Sequence, residues 1–260
     1  MSRKLLIIFL VLCMTGLGWN LPAASQAAEP EVAIGGGVGA APDYEGSDDY
    51  EAVPLPFASV RWANGRFVEL VGNTLRANLI SDSAWSFGPI LQYIPERDDV
   101  DSDAVDAMKK VDTSVMVGVF GSVKLDDWYV RIHGIQDMAD GNDGLLVQIG
   151  GGYNWFYSDI FSMKFDVFST YASEEYMEAY FEVDAQDSAR SGLRQYTKVD
   201  EGIKDVGLAI NANCHPYENW SFKGTISYKK LLGDAEDSPV VDDEGDSNQF
   251  LAGVMVVYHF

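Results

Sequence analysis

Three histidines, His133, His215 and His259, are the side chains in this 260-residue sequence best suited to acid–base chemistry near neutral pH. Asp137 follows His133 by four residues in a strand-like segment, so the spacing suggests a His–Asp pair. Four residues of extended strand span about 13 Å, which is too far for a side-chain hydrogen bond within one strand. A hydrolase would also need a nucleophile within reach of the base, and none is evident. We therefore expect no enzymatic activity and no catalytic residues.

Two glycine-rich runs, Gly36-Gly37-Val38-Gly39 and Gly150-Gly151-Gly152, resemble the composition of a phosphate-binding loop. Such a loop requires a helix directly after it, and neither run precedes a helical pattern. Glycines inside strands instead mark bends or close packing of two backbones. The two cysteines, Cys13 and Cys214, are too few and too far apart for a metal framework. We expect neither a cofactor nor a metal.

The sequence is strongly acidic, with 40 Asp and Glu against 18 Lys and Arg and a net charge of −22. Most of these acids fall in predicted connections, over residues 43–51, 96–106, 174–201 and 234–246. Clustered carboxylates could chelate a divalent cation such as Ca²⁺, but their spacing matches no ligand pattern, so we expect a solvated, mutually repelling surface. Nucleic acid is excluded as a partner because it requires a basic surface.

Strand-like segments recur along the whole chain, and many alternate apolar with polar residues at a period of two. Turn residues separate them, including Asn64-Gly65, a pair that tolerates the positive φ of a tight hairpin. The predicted strands cover residues 31–41, 54–62, 67–71, 75–80, 85–94, 113–125, 128–137, 145–156, 160–171, 204–215, 220–230 and 249–260.

Two features favour a membrane barrel over a soluble sandwich. Aromatic residues sit at the ends of the apolar faces, and many strands reach about 11 to 13 residues, longer than the soluble mode of about 5 or 6. Connections also alternate between short and long, as expected for periplasmic turns and external loops. The sequence predicts an all-β fold, a transmembrane antiparallel up-and-down β-barrel of about 12 strands. This count requires residues 67–80 to form a hairpin.

The last segment carries the clearest strand pattern. Its apolar face ends on the carboxy-terminal aromatic residue, which is typical of the final strand of an outer-membrane barrel. The residues that we predict to form a barrel-assembly signal are Phe250, Val254, Val256, Tyr258 and Phe260.

The amino terminus has the pattern of a secretory signal peptide. Arg3 and Lys4 precede an apolar run from residue 5 to 12, and small residues follow at Ser25 and Ala27. We predict a signal peptide over residues 1–27 and one barrel domain over 28–260. The expected location is the outer membrane of a Gram-negative cell, in contact with its lipid and lipopolysaccharide.

Several charged side chains fall on the predicted inner faces of the strands. These candidate lumen-lining residues are Lys124, Arg131, His133, Lys164, Asp166, Lys223 and Lys229. They could line a polar channel, or they could pair with one another across a filled interior, and we favour the paired arrangement. The long segment 172–203, with Tyr176, Tyr180 and Phe181 among acids, either folds inward as a plug or presents a docking surface.

Several blocks of the sequence resemble the MipA/OmpV family of outer-membrane proteins. The blocks are Tyr44-Glu45-Gly46-Ser47-Asp48-Asp49-Tyr50 ahead of Pro54-Leu55-Pro56, Tyr180-Phe181 with Val183, Ser191-Gly192-Leu193 with Tyr196, Leu231 with Gly233-Asp234-Ala235, Asp237-Ser238-Pro239-Val240-Val241, and Tyr258-His259-Phe260. The Gly-Asp-Ala-x-Asp-Ser-Pro block is the most specific of them, and together they span the mature chain.

The resemblance implies a non-catalytic scaffold that links a lytic murein transglycosylase to a penicillin-binding protein in peptidoglycan synthesis. The same family resemblance also allows a surface adhesin, which would use the long acidic loops. A small-solute outer-membrane pore is the further alternative, because charged residues fall on the predicted inner faces.

Overall fold

The chain forms a single closed β-barrel in the computed structural model, which describes residues 29–260. Twelve strands are present, as the sequence predicts, and the predicted signal peptide lies outside the described residues. The strands are β1 (Glu31–Pro42), β2 (Tyr50–Arg61), β3 (Phe67–Val71), β4 (Thr74–Asn78), β5 (Trp85–Ile94), β6 (Ser114–Leu125), β7 (Trp128–Asp137), β8 (Leu145–Ser158), β9 (Phe161–Ala172), β10 (Gly202–Tyr217), β11 (Trp220–Leu231) and β12 (Asn248–His259).

Each strand pairs antiparallel with its neighbours in the chain, and β1 pairs with β12 to close the barrel. The connections at one end are brief, such as the two residues between β6 and β7, and we call this the short-turn end. The opposite long-loop end carries the connections β1–β2, β5–β6, β7–β8, β9–β10 and β11–β12. The β3–β4 turn also points toward the long-loop end.

The two faces of the strands differ as the alternation predicts. On β12, Val254 is 63% exposed, whereas its neighbour Met255 is 7% exposed and Val257 is fully buried. The same outward exposure of apolar side chains recurs around the barrel, for example at Ile132 and Leu208. A continuous band of exposed apolar side chains is costly in water, so it identifies the surface that contacts lipid.

Aromatic pairs on neighbouring strands mark both edges of this apolar band. Near the short-turn end, the rings of Trp128 and Tyr153 lie 5.0 Å apart, and those of Trp220 and Tyr258 lie at the same distance. Toward the long-loop end, Tyr228 on β11 pairs with the Phe250 ring of β12. Aromatic girdles at both interfaces are typical of membrane barrels.

Strands β3 and β4 have only five residues each, so the barrel wall is shorter along the barrel axis there. Only residues 57–61 of β2 pair with β3, so the first half of β2 pairs with β1 alone. Pro54 and Pro56 lie in that half. The Pro56 carbonyl oxygen accepts from the Gly72 N–H, on the side of β2 away from β1. Because the nitrogen and the carbonyl of one strand residue point to the same side, the ring nitrogens of both prolines face that unpaired edge, where no N–H is needed. Strand β2 therefore starts at Tyr50, four residues earlier than predicted, because the prolines do not interrupt its pairing with β1.

The long loops contain five short helices that the period-two pattern does not predict. They are α1 (Asp103–Asp106), α2 (Glu174–Phe181), α3 (Ala185–Ser191), α4 (Asp234–Asp237) and α5 (Pro239–Asp242). Within residues 29–260, no helix is both long and apolar enough to cross a membrane.

Candidate functional site

Helix α2 closes the barrel at the long-loop end. Its residues Tyr176, Met177, Tyr180 and Phe181 lie on one face, and each is at least 96% buried. They pack against inward-facing side chains of the strands, a set that includes Met116, Ile135, Leu146, Ala172 and Leu231. The first helix of segment 172–203 therefore folds inward as a plug, which is one of the two predicted arrangements.

A buried ionic network connects the β1–β2 loop to the plug. The Glu45 carboxylate accepts from the Lys204 ammonium at 2.6 Å, from the Lys229 ammonium, and from the Tyr176 hydroxyl at 2.9 Å. Lys204 also donates to Asp205 at 2.8 Å. Burial alone would raise the pKa of Glu45, but the two ammonium groups outweigh it and hold that pKa well below its usual range.

Gly46 gives the β1–β2 loop the turn that directs Glu45 inward. Its φ is +105°, a conformation that L side chains rarely adopt, and a Cβ there would lie 2.5 Å from Val241 Cγ2. The Gly46 N–H donates to the Gln249 side chain at 3.1 Å, and the Gln249 amide donates to the Ser47 carbonyl oxygen at 3.0 Å. A buried side chain of β12 therefore holds this loop in place.

The blocks that carry the family resemblance converge on the plug, although they are far apart in the chain. Tyr44 packs with Val183 and Val240 in one buried cluster, and Ser238 donates to the Phe181 carbonyl oxygen at 2.6 Å. The motif residues that share these buried clusters are Tyr44, Tyr180, Phe181, Val183, Leu193, Leu231, Ala235, Val240 and Val241, with Tyr196 packed against them. The segments typical of the family therefore build the closed end of the barrel.

A polar cavity of about 590 Å³ occupies the lumen below the plug. Ile90 belongs both to the plug cluster and to the cavity wall, so the two are in contact. At the other end the lining reaches Phe156 and Ser162, beside the β8–β9 turn of the short-turn end. The cavity thus extends from the buried cluster that contains the plug residues to the rim of the short turns.

Two buried carboxylates organise the charges around this cavity. Glu69 of β3 accepts from the Arg76 guanidinium of β4 at 2.6 Å and from that of Arg61. Asp166 of β9 accepts from Arg131 at 3.3 Å and lies 3.8 Å from the Lys164 ammonium. Glu69 therefore bridges cations of the two neighbouring strands β2 and β4, whereas Asp166 bridges Arg131 of β7 and Lys164 of its own strand β9.

The structure distributes the seven predicted lumen-lining residues over three levels. Arg131, His133, Lys164 and Lys223 line the cavity, while Asp166 is buried beside it through its contacts with Arg131 and Lys164. Lys229 also faces inward, but its partner Glu45 places it at the long-loop end, away from the cavity lining. Lys124 is exposed near the β6–β7 turn and does not line the cavity.

Sequence reasoning missed Glu69, Arg76 and Arg61, which supply three of the seven charged groups around the cavity. A signal for two of them was present. If Gly72 and Asn73 form the two-residue turn, then counting outward pairs Glu69 with Arg76, the register that the structure shows. The contact with Arg61 depends on the pairing of β2 with β3, which the hairpin alone does not define.

None of the histidines forms a catalytic constellation. Asp137 accepts from the backbone N–H groups of Ala139, Gly141 and Asn142 at the long-loop end, so it stabilises a loop and does not orient His133. The imidazole of His259 lies 2.8 Å from the Ser221 hydroxyl, an arrangement that the sequence did not reveal. Ser221 is fully buried, so its hydroxyl is exposed neither on the outer surface nor to the lumen.

The acidic loops form no recognisable cation site in the described part of the chain. Among residues 29–260, no group of three or more His, Cys, Asp or Glu side chains is arranged to hold a metal ion. Several loop carboxylates instead pair with bases, as Asp187 does with Arg190 and Asp242 does with Arg194.

Comparison with known proteins places this fold among outer-membrane proteins. A family model described as MltA-interacting protein MipA matches residues 34–260. The MltA-interacting protein of Escherichia coli (strain K12) is 26% identical over 223 residues, which cover 83% of this chain and 86% of that protein. Outer membrane protein Omp26La of Vibrio anguillarum is 27% identical over 168 residues, covering 62% of this chain and 61% of that one.

Solved barrels are similar at lower sequence identity. A NanC porin structure is 12% identical with a TM-score of 0.47, and the alignment covers 87% of this chain and 98% of that one. An outer membrane channel of Pseudomonas putida F1 is 8% identical with a TM-score of 0.46, covering 93% and 100% of the two chains.

Proposed function

Since this chain belongs to the family described as MltA-interacting protein MipA, we propose that it is a non-catalytic outer-membrane scaffold that binds a murein transglycosylase at its short-turn end. The name of the Escherichia coli relative supports a transglycosylase as the partner. A penicillin-binding protein, the second partner that the family resemblance implies, would join the same assembly. The short-turn end faces the periplasm in barrels of this type, on the side of the cell wall.

The closed long-loop end is the observation that carries this proposal. Buried side chains of α2 and the Glu45 network occupy the barrel at the long-loop end, an arrangement that favours a scaffold over a pore. A protein that holds its partner by contact needs no solute path through the lumen. The β6–β7 and β10–β11 turns have only two residues each, so the partner has to rest on the whole rim. Stable interfaces bury about 1,600 Å² in total, which is more than single tight turns provide.

A pull-down from periplasmic extract on the purified, detergent-folded barrel, followed by direct titration of the purified transglycosylase, tests this proposal. Selective recovery relative to an unrelated barrel is the expected result. Reversing two exposed charges at the short-turn end, Arg66→Glu with Asp159→Lys, should weaken binding by about tenfold.

The matched control reverses one base and one acid in the β9–β10 loop, Lys198→Glu with Asp200→Lys, and leaves the net charge unchanged as well. It should bind like the unmodified protein. If the control alone loses binding, the partner contacts the long-loop end. If no transglycosylase is retained, the scaffold proposal is wrong, and the adhesin becomes the function to test through cell attachment.

A further inference from the structure

The charges around the lumen cavity do not balance. Four cations and one carboxylate line it, and one further cation and one further carboxylate pair with these lining side chains. The cations are Arg61, Arg76, Arg131, Lys164 and Lys223, and the carboxylates are Glu69 and Asp166. The wall therefore carries an excess of three positive charges inside a chain whose net charge is −22.

The other ionic cluster in the barrel shows that this imbalance is local. At the long-loop end, the two cations Lys204 and Lys229 face the two carboxylates of Glu45 and Asp205. That cluster needs no further charge. The cavity wall therefore differs from this cluster in having more cations than carboxylates.

Lys223 is the clearest unneutralised cation of the cavity wall. Its ammonium donates to the Asn213 side-chain oxygen at 3.2 Å and lies 5.1 Å from the centre of the Phe57 ring, and no carboxylate among the described residues pairs with it. Arg131 likewise directs one nitrogen to the neutral Gln148 oxygen, at 2.6 Å. Ammonium and guanidinium groups that share one carboxylate, or lack one, retain the capacity to bind an anion.

The size and access of the cavity fit a small molecule. Its volume of about 590 Å³ lies within the range of about 300–1,000 Å³ that is usual for small-molecule sites. Neutral hydrogen-bonding side chains, Gln92, Asn154, Asn211 and Thr225, complete the wall. The plug closes the end toward the long loops, so a ligand enters and leaves from the short-turn end.

We propose that the lumen is a binding site, closed at one end, for a small solute that carries two or three carboxylate or phosphate groups. Such a ligand neutralises the excess charge and is held by Arg131, Lys164 and Lys223 together, with the guanidinium groups available for bidentate contacts. Because low-dielectric walls strengthen the field of fixed charges, one cavity can select anions even in an acidic protein. The cavity opens toward the proposed protein-binding rim, but Arg131, Lys164 and Lys223 lie on strands inside the lumen.

Isothermal titration of the detergent-folded, full-length mature protein tests this inference. Citrate and inorganic pyrophosphate are the two probes, and glucose and spermidine are the neutral and cationic comparisons. We expect one equivalent of at least one anion to bind, with an affinity that falls as sodium chloride is added. Citrate alone indicates a carboxylate ligand, pyrophosphate alone indicates a phosphate ligand, and binding of both indicates recognition by charge.

Two nearly isosteric substitutions locate the site. Lys223→Gln removes a cation that has no carboxylate partner, and Gln92→Glu adds a negative charge to the wall. Each should weaken anion binding by about tenfold, equivalent to about 1.4 kcal/mol. Lys198→Gln and Gln195→Glu make the same changes in the exposed β9–β10 loop and should leave the affinity within about twofold.

Circular dichroism of each variant verifies that the barrel has folded before titration. The inference is overturned if neither anion binds at about 1 mM, a concentration that corresponds to only about 4 kcal/mol of binding energy. It is also overturned if the loop substitutions weaken binding as much as the lumen substitutions do, because the anion would then bind the general surface.

Discussion

Glu45 and Lys204 form an ion pair at 2.6 Å between residues that are 159 positions apart in the chain. The pair joins the first long loop to the tenth strand, directly beside the plug helix. Lys229 of the eleventh strand completes the contact from the other side. One loop carboxylate thereby links three distant parts of the barrel.

Substitution of Glu45 by glutamine should destabilise the folded barrel by about 3 kcal/mol, because it leaves Lys229 without a carboxylate inside the protein. The pKa of Glu45 is lowered in the folded state, so its contribution is complete above the unfolded pKa of about 4.3 and is lost as pH falls toward the folded value. Urea unfolding in lipid vesicles at about pH 7 and about pH 3 measures both effects.

The control for that experiment is Asp48→Asn, an exposed acid of the same loop. This substitution should change stability by less than about 0.5 kcal/mol at either pH. Equal losses for both variants would mean that the net charge of the loop, and not the buried network, determines stability.

Substitution of Gly46 by alanine should destabilise the plug through both backbone strain and a steric clash. At φ +105° an alanine is strained, and its Cβ would meet Val241 at 2.5 Å. We expect a loss of about 3 kcal/mol, measured by thermal or urea unfolding.

Gly192→Ala separates these two causes. Gly192 also has a positive φ, +81°, but a Cβ there would meet no atom within 4 Å. Strain alone should cost about 1 to 2 kcal/mol. If the two alanine variants are equally stable, Val241 moves aside without cost and the packing at Gly46 is less restrictive than its geometry implies.

Removal of the plug should turn the closed barrel into a conducting one. Ala172 and Gly202 are direct partners in the β9–β10 ladder, so a short Gly-Ser linker can replace residues 174–201 without disturbing either strand. In planar bilayers the unmodified protein should show no steady open steps, whereas the deletion variant should. Steady conductance of the unmodified protein would favour the pore over the scaffold.

The carboxy-terminal residue should matter for assembly in cells. Phe260 is exposed and packs its ring edge-on against Tyr258 at 4.9 Å. We expect Phe260→Ser to reduce the amount of folded protein in the outer-membrane fraction several-fold, because it removes the terminal aromatic of the predicted assembly signal. Tyr157→Ser, which removes an exposed aromatic beside a turn, is the control and should assemble normally.

The strands and their faces could be predicted from the sequence because the strands of a membrane barrel follow a local pattern, the alternation of residue types along each strand. Successive side chains of each strand face lipid and lumen in turn. The positions of Val254 and Val257 along β12 therefore predict that Val254 is exposed and Val257 is buried. Strand ends were predicted to within a few residues, with the largest difference at Tyr50, where prolines occupy an edge instead of ending a strand.

The plug and most of the lumen contacts could not be predicted in the same way. Lys229 and Glu45 are separated by 184 residues, and nothing in the spacing around either residue encodes the other. The loop helices are short and lie in acidic segments without strong periodicity, so their buried faces become evident only when the barrel surrounds them. The alternation of residue types assigned Lys229 to the inner face correctly, but it could not predict the position of Lys229 along the barrel axis.

The packed long loops at the long-loop end also determine how antibodies would recognise this protein. Different long loops form the outer surface of this end and pack against one another through buried side chains. Tyr44, Val183 and Val240, each from a different loop, share one buried cluster. An antibody raised against the native barrel should therefore bind a discontinuous epitope and lose reactivity on a denaturing immunoblot. Synthetic peptides copied from a single loop should be poor immunogens against intact cells, because the free peptide lacks the neighbours that fix its shape.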